Sequence, residues 1–206
     1  ARTLWLLLSS LARLTVRWLS HAPATTVVTV ALTLMSATYW VWRDQFNVLE
    51  ASPSPSHWWS IFSSVGAVPG HFLATAVLGI ATMIVAGGAA ERHLGTRVWI
   101  AAALAGQVVG VTATWATLPL LKRAITEWGQ AIGEGTLWGT SLMLIALAGA
   151  AVQSLGARWR WRARFLLVGV LVLSSALLGS AISYARVWAL LAGMTAARLL
   201  GVRGSN

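Results

Sequence analysis

The chain has no cysteine and only one lysine, Lys122, among its fifteen basic residues. The first absence excludes disulfides and thiolate metal sites and leaves the redox compartment unread. Acidic residues are scarce too, five in 206, and charged residues of both signs make up 10% of the chain. A soluble domain ordinarily carries about a quarter. There is too little polar surface here to cover a globule facing water. Apolar residues fill the gap, at 57% with a mean hydropathy of +0.73. The net charge of +10 would suggest nucleic acid in a soluble protein. Here the arginines stand between apolar runs, so a membrane reading prevails and nucleic acid is set aside. Metal is not expected, because His21, His57, His71 and His93 are dispersed along the chain. No phosphate-cradling loop stands out, since Gly87 and Gly88 suit close helix contact better, and no cofactor is expected. Few lysines beside abundant alanine, arginine and tryptophan suggest a bacterium with GC-rich DNA, and hence its cytoplasmic membrane.

The expected class is all-α, a polytopic bundle of six transmembrane helices forming one domain. Residues 1–21 are leucine- and tryptophan-rich but interrupted by arginine. At 100° per residue Arg2, Ser9, Arg13, Arg17 and Ser20 share a narrow sector, the pattern of an amphipathic helix lying in the interface. A membrane domain over 22–200 follows. Its first uncharged run, Pro23 to Trp42, suffices to span ~30 Å of hydrocarbon, and Tyr39, Trp40 and Trp42 give it an aromatic edge. A polar loop with Pro53 and Pro55 comes next. Further spans are expected at about 71–90, 98–119, 135–155, 165–179 and 182–200. Gly106 and Gly110 in the third have the spacing that lets a second helix approach closely. Residues 201–206 form a cytoplasmic tail. Because the chain starts at Ala1 and not at Met, continuation into a further domain is an expectation as well.

The arginines fix the expected orientation. With the N-terminus inside, Arg2, Arg13, Arg17, Arg92, Arg97, Arg158, Arg160, Arg162, Arg164, Arg198 and Arg203 fall on inner segments. Only Arg43, Lys122 and Arg123 fall on outer ones, so both termini are expected in the cytoplasm. The connection between spans four and five alternates Arg158, Arg160, Arg162 and Arg164 with Trp159 and Trp161. Guanidinium groups there meet anionic headgroups while the indoles lie at the interface. Topology control alone accounts for much of that signal. A lipid-headgroup rim is the functional reading of it.

Ionisable residues within spans are costly and mark functional candidates. Arg186 in the sixth span and Glu134 at the start of the fourth are the two that matter. His71, at the start of the second, is placed at the same outer depth. The run from His57 to Gly110 resembles the rhomboid intramembrane serine proteases. Trp59, Ser60, Ile61, Phe62 and Ser63 are similar to the family's Trp-Arg-Leu-x-Thr-like segment. His71 fits the histidine of its His-x-x-x-Asn motif, with Thr75 in place of the asparagine. Glu91, Arg92 and Gly95 match its Glu-Arg-x-x-Gly-like helix turn. The likeness covers about residues 57–200 and weakens in the second half.

The catalytic motifs depart from that pattern. Gly135 and Gly139 fit the glycines around the family's nucleophile, which puts Glu134 at the serine. Ala189 and Gly193 fit the small residues of its last helix, which puts Arg186 at the histidine. Hydrolysis needs a nucleophile and a base within hydrogen-bond reach, and an arginine cannot accept a proton at any accessible pH. Thr136 and Ser141 are nearby hydroxyls with no histidine set to activate them. The resemblance therefore implies a pseudoprotease. Its degenerate site would comprise His71, Thr75, Glu134, Thr136 and Arg186, with Glu134 and Arg186 forming an ion pair between spans four and six. The function expected is binding of membrane-protein or lipid partners in the bilayer. Two alternatives stand beside it: the membrane module of a larger lipid-modifying enzyme such as an aminoacyl-phospholipid synthase, with a fused cytoplasmic domain, and a divergent active protease.

Overall fold

A computed structural model describes residues 20–42, 73–125 and 140–202, and these residues are all helical apart from short turns. Most of the expected interfacial helix, the long polar loop and the segment before the fourth span lie outside them. Helix α1 is Pro23–Trp42. Proline suits its first position, where the missing N–H would have no intrahelical acceptor. Helix α2, Leu73–Thr82, runs into a π-helical stretch, Met83–Gly87, and on into α3, Gly88–Leu94. A π turn shifts the i to i−4 ladder and leaves carbonyls without their usual donor. The indole Nε1 of buried Trp99 donates to the Gly87 carbonyl at 2.9 Å. Gly95, at φ 81°, ends α3 in a conformation that side-chain-bearing residues rarely adopt.

Helix α4 is Thr96–Ala124 and continues past Pro119, about a turn beyond the expected end of its span. Helix α5 is Thr140–Gln153, α6 is Ala157–Leu178, and α7 is Ala181–Leu199. The start of α6 corrects the expected connection between spans four and five. The Arg/Trp run is helical from Ala157, and the turn itself is only residues 154–156. Alanine and arginine are good helix formers, and Gly156, extended at ψ 152°, marks the start.

Helices α4, α5 and α7 form the centre, with α7 packed most extensively on the other two. Small residues let them approach. A Cβ built on Gly193 would strike the Ala146 carbonyl, and one on Gly106 would strike the Ala146 side chain. Gly110 faces the Ala185 carbonyl and the Ala189 methyl. One apolar cluster gathers Trp99, Ala102, Met143, Leu147 and Ala197 with Leu32 and Met83. A second, towards the other end, holds Val111, Leu118, Leu142, Ala181, Ala185 and Ala189.

Beside this apolar core, several polar side chains are buried and many large apolar ones are exposed. Thr25, Thr29, Ser36, Gln107, Thr114, Gln153, Ser175 and Ser183 are buried, while Val27, Leu34, Leu78, Val85, Leu166, Leu173 and Leu177 are exposed. Among the described residues two helices, Thr96–Ala124 and Ala157–Leu178, are long and apolar enough to cross a membrane. The second is no core helix, because only its Leu171 and Ser175 are buried.

Candidate functional site

Glu91 is the acid that the fold uses most fully. It ends the second apolar run, is 2% exposed, and reaches back to the start of α1. Its Oε1 accepts from the Ala24 backbone at 2.9 Å and from the Thr96 hydroxyl at 2.8 Å, and its Oε2 accepts from the Thr25 backbone at 2.7 Å. The first N–H groups of a helix lack internal acceptors and form its positive end. Ala22, which precedes α1, has no side-chain acceptor to offer them. Glu91 supplies the cap from another helix and joins α1, α3 and α4 at one point. Burial pushes its carboxyl pKa up, but the bonds from Thr25, Ala24 and Thr96 outweigh that and hold it below the ordinary 4.5. Arg92 and Gly95, the other two residues of the turn motif, are exposed beside it.

Of the degenerate site, Arg186 is the member whose side chain can be described. His71, Glu134 and Thr136 lie outside the described residues. Thr75 falls on the backbone of α2, with its side chain outside the description. The expected ion pair therefore involves one described partner. Arg186 is half-buried on α7, and its Nε is buried without a hydrogen-bond partner. Its flanking residues Ala185 and Ala189 form the packing contact with Gly110 of α4. Two residues before it, Tyr184 donates to the Thr117 hydroxyl of α4 at 2.9 Å.

The rim residues fall on the first turns of α6. Arg158, Trp159, Trp161 and Arg162 are exposed, and Arg160 and Arg164 are half-buried. The Arg162 guanidinium lies 5.5 Å from the centre of the Trp159 ring, and Trp161 meets Phe165 edge-on at 4.2 Å. Arg160 Nε donates to the Leu155 carbonyl at 3.0 Å, and Arg164 donates to the Gln153 side chain. Half of the alternating run thus folds back onto the end of α5, and the other half is displayed.

A hydroxyl–imidazole pair does occur, at a place the sequence did not suggest. His93 Nε2 lies 2.6 Å from Ser154 Oγ, joining the ends of α3 and α5. The same hydroxyl donates to the Ala151 carbonyl at 2.6 Å. A hydroxyl has one proton. The imidazole tautomer decides which of the two donates: with the hydroxyl proton on the Ala151 carbonyl, Nε2 donates to Oγ. Ser154 also follows the C-terminus of α5, where exposed carbonyls oppose a developing oxyanion. The pair is a bridge between helices and not an activated nucleophile. Both residues end a stripe of alanines, Ala86, Ala90, His93 on one helix and Leu147, Ala151, Ser154 on the other. That spacing was the signal in the sequence that could have paired them.

Among the described residues no cluster of His, Asp and Glu is arranged to hold a metal ion. Comparison with family models, with curated proteins and with solved structures returned no match.

Proposed function

We propose that this chain is a multi-pass protein of a bacterial cytoplasmic membrane, a rhomboid-like six-helix domain without protease chemistry that works by binding membrane-protein or lipid partners. The exposed apolar surface and the buried threonines and serines favour lipid as its surroundings. The observation that carries the loss of chemistry is Arg186. It stands one turn before Ala189 and two before Gly193, small residues that seat α7 against α4 and α5. A partly buried guanidinium at that depth cannot take a proton from a nucleophile. A cation there suits holding an anionic or carbonyl-rich partner.

The test is direct. The full chain, reconstituted in liposomes, is treated with a fluorophosphonate probe and with a fluorogenic transmembrane substrate. We expect neither labelling nor turnover. Labelling that disappears on Ser141→Ala or Ser154→Ala would overturn the reading in favour of a divergent protease.

The Arg/Trp face of α6 favours a second reading, the membrane module of a lipid-modifying enzyme such as an aminoacyl-phospholipid synthase. Trp159 and Trp161 are more than half exposed among arginines, as suits a surface shared by headgroups and a cytoplasmic domain. A transferase domain encoded in frame with this segment would decide for it.

A further inference from the structure

Three arginines meet where α5 and α7 end and α6 begins. Arg160 and Arg164 are one turn apart on α6 and so share a face. The first donates to the Leu155 carbonyl and the second to the Gln153 side chain, which draws both towards the end of α5. Each bond uses a single N–H of a guanidinium fork that offers several. Arg198 stands in the last turn of α7. It and Arg160 are both near enough for their charges to repel that of Arg164.

Something must offset like charges held this close. The helix ends do so only in part. The C-termini of α5 and α7 each amount to about half a negative charge, and the α6 N-terminus returns about half a positive one. No acid of the chain completes the balance. Glu91 is the one acid among the described residues, and it is committed to Ala24, Thr25 and Thr96. Asp44, Glu50, Glu127 and Glu134 fall on segments expected on the outer side. Nor can an arginine shed its proton. The Nε of Arg164 is also buried without a hydrogen-bond partner, so water does not serve it either. A buried donor of a charged group is costly in that state. An anion that accepts from several sides at once relieves all of this, and a phosphate is such an anion, well matched to the planar forks of arginine.

We infer that Arg160, Arg164 and Arg198 form one binding site for a phosphate group, held between α6 and α7 at the end of α5. The inference deepens the lipid-binding part of the proposed function and rests on its orientation. Arg162 is not part of the site, because it lies over the Trp159 ring instead. The phosphodiester of an anionic phospholipid and a free phosphate ester present the same oxygens, and the experiment separates them.

The full chain is purified from membranes in a mild detergent. Dioleoyl phosphatidylglycerol or dioleoylglycerol is added, and retention is read by native mass spectrometry. The two lipids have the same chains, and only the first carries phosphate. It should be retained at least about fivefold more strongly, as expected for one basic side chain near an anionic headgroup. Arg164→Gln and Arg198→Gln should each lose about that factor, and Arg162→Gln should keep it. Arg198→Gln leaves the Gln153 contact in place and so tests the site should Arg164→Gln misfold. Equal retention of the two lipids would overturn the inference. So would an equal loss in Arg162→Gln and Arg198→Gln, which would show diffuse charge and no site. Displacement of the lipid by glycerol phosphate would assign the site to a soluble phosphate ester, and failure to displace it would assign the site to a headgroup. Carbonate extraction separates this from the membrane reading. A protein that stays in the membrane yet shows no lipid preference refutes the site alone. One released by carbonate refutes the membrane reading, and binding of glycerol phosphate, lost in Arg198→Gln, then decides the site.

Discussion

Glu91 is one of five acidic residues in the chain, and three elements converge on it. Its charge state is therefore a stability variable. Its folded pKa lies below the ordinary 4.5. In the unfolded chain the carboxyl protonates first, so the stabilisation is complete above about pH 4.5 and fades as pH falls through the lower folded value. Glu91→Ala removes the acceptor and leaves the Ala24 and Thr25 N–H groups buried without partners. Hydrogen bonds to a charged group contribute about 1.5–3 kcal/mol, so a loss of about 2 kcal/mol is expected. Thermal unfolding in detergent at pH 7 and pH 4 measures both effects. The variant should melt several degrees lower at pH 7, and the gap should narrow in acid. A gap that stayed constant down to pH 3 would show that the carboxylate charge is not what the α1 terminus uses. Glu91 was legible in the sequence as the end of a span and as part of a family-like turn. Its two backbone partners on α1 were not, because they lie 66 and 67 residues earlier and α1 gives no sign of lacking a cap beyond Ala22 itself. Arg186 was legible as a costly charge in an apolar helix, whereas the His93–Ser154 bridge joins residues 61 apart that are individually unremarkable.

At the scale of elements, apolar runs between arginines located the helices well, and charges misled where they were helical themselves. Pro23–Trp42 coincides with the first uncharged run, and Ala181–Leu199 lies within a residue of the span expected at about 182–200 despite Arg186 inside it. Helix α6 starts eight residues before its expected span because arginine and tryptophan interrupt hydropathy without interrupting a helix. The π stretch Met83–Gly87 left no mark in the sequence, since its composition matches that of the flanking turns. The small-residue spacing proved more informative than any single motif. Gly106 and Gly110 face α5 and α7, and Gly193 meets Ala146 on α5. In lipid, such close approach contributes through packing and not through expulsion of water. Gly193→Ala places a methyl against the Ala146 carbonyl, which the backbone can only relieve by separating the helices. Overpacking of this kind costs about 1–3 kcal/mol. The melting temperature should fall by several degrees, whereas Gly169→Ala, with open space around it, should leave it unchanged or raise it. Equal behaviour of the two variants would mean that the seam between α5 and α7 is looser than its backbone contacts imply.

For the whole molecule, the proposed orientation rests on the asymmetry of basic residues in the sequence, eleven expected inside and three outside. The described helices place several of these at opposite ends. Arg92, Arg97 and Arg198 accompany the cluster around Trp99, and Lys122 and Arg123 stand at the far end of α4. Moving arginines across a bilayer is expensive, so a clear bias holds a bundle in one sense. The absence of cysteine makes this measurable without removing any native residue. Single cysteines at Leu155, in the turn between α5 and α6, and at Leu120, near the Lys122 end of α4, are both on exposed positions. In intact cells, a membrane-impermeant maleimide should label Leu120→Cys and spare Leu155→Cys until the membrane is opened. Replacing Arg158, Arg160, Arg162 and Arg164 together by Gln removes four of the charges expected inside. With seven left against three, the orientation should hold, and with it the labelling pattern. If the pattern instead reversed, the α6 rim alone would set the topology. Labelling of both positions in intact cells would mean that α4 and the α5–α6 turn do not lie on opposite sides of a membrane.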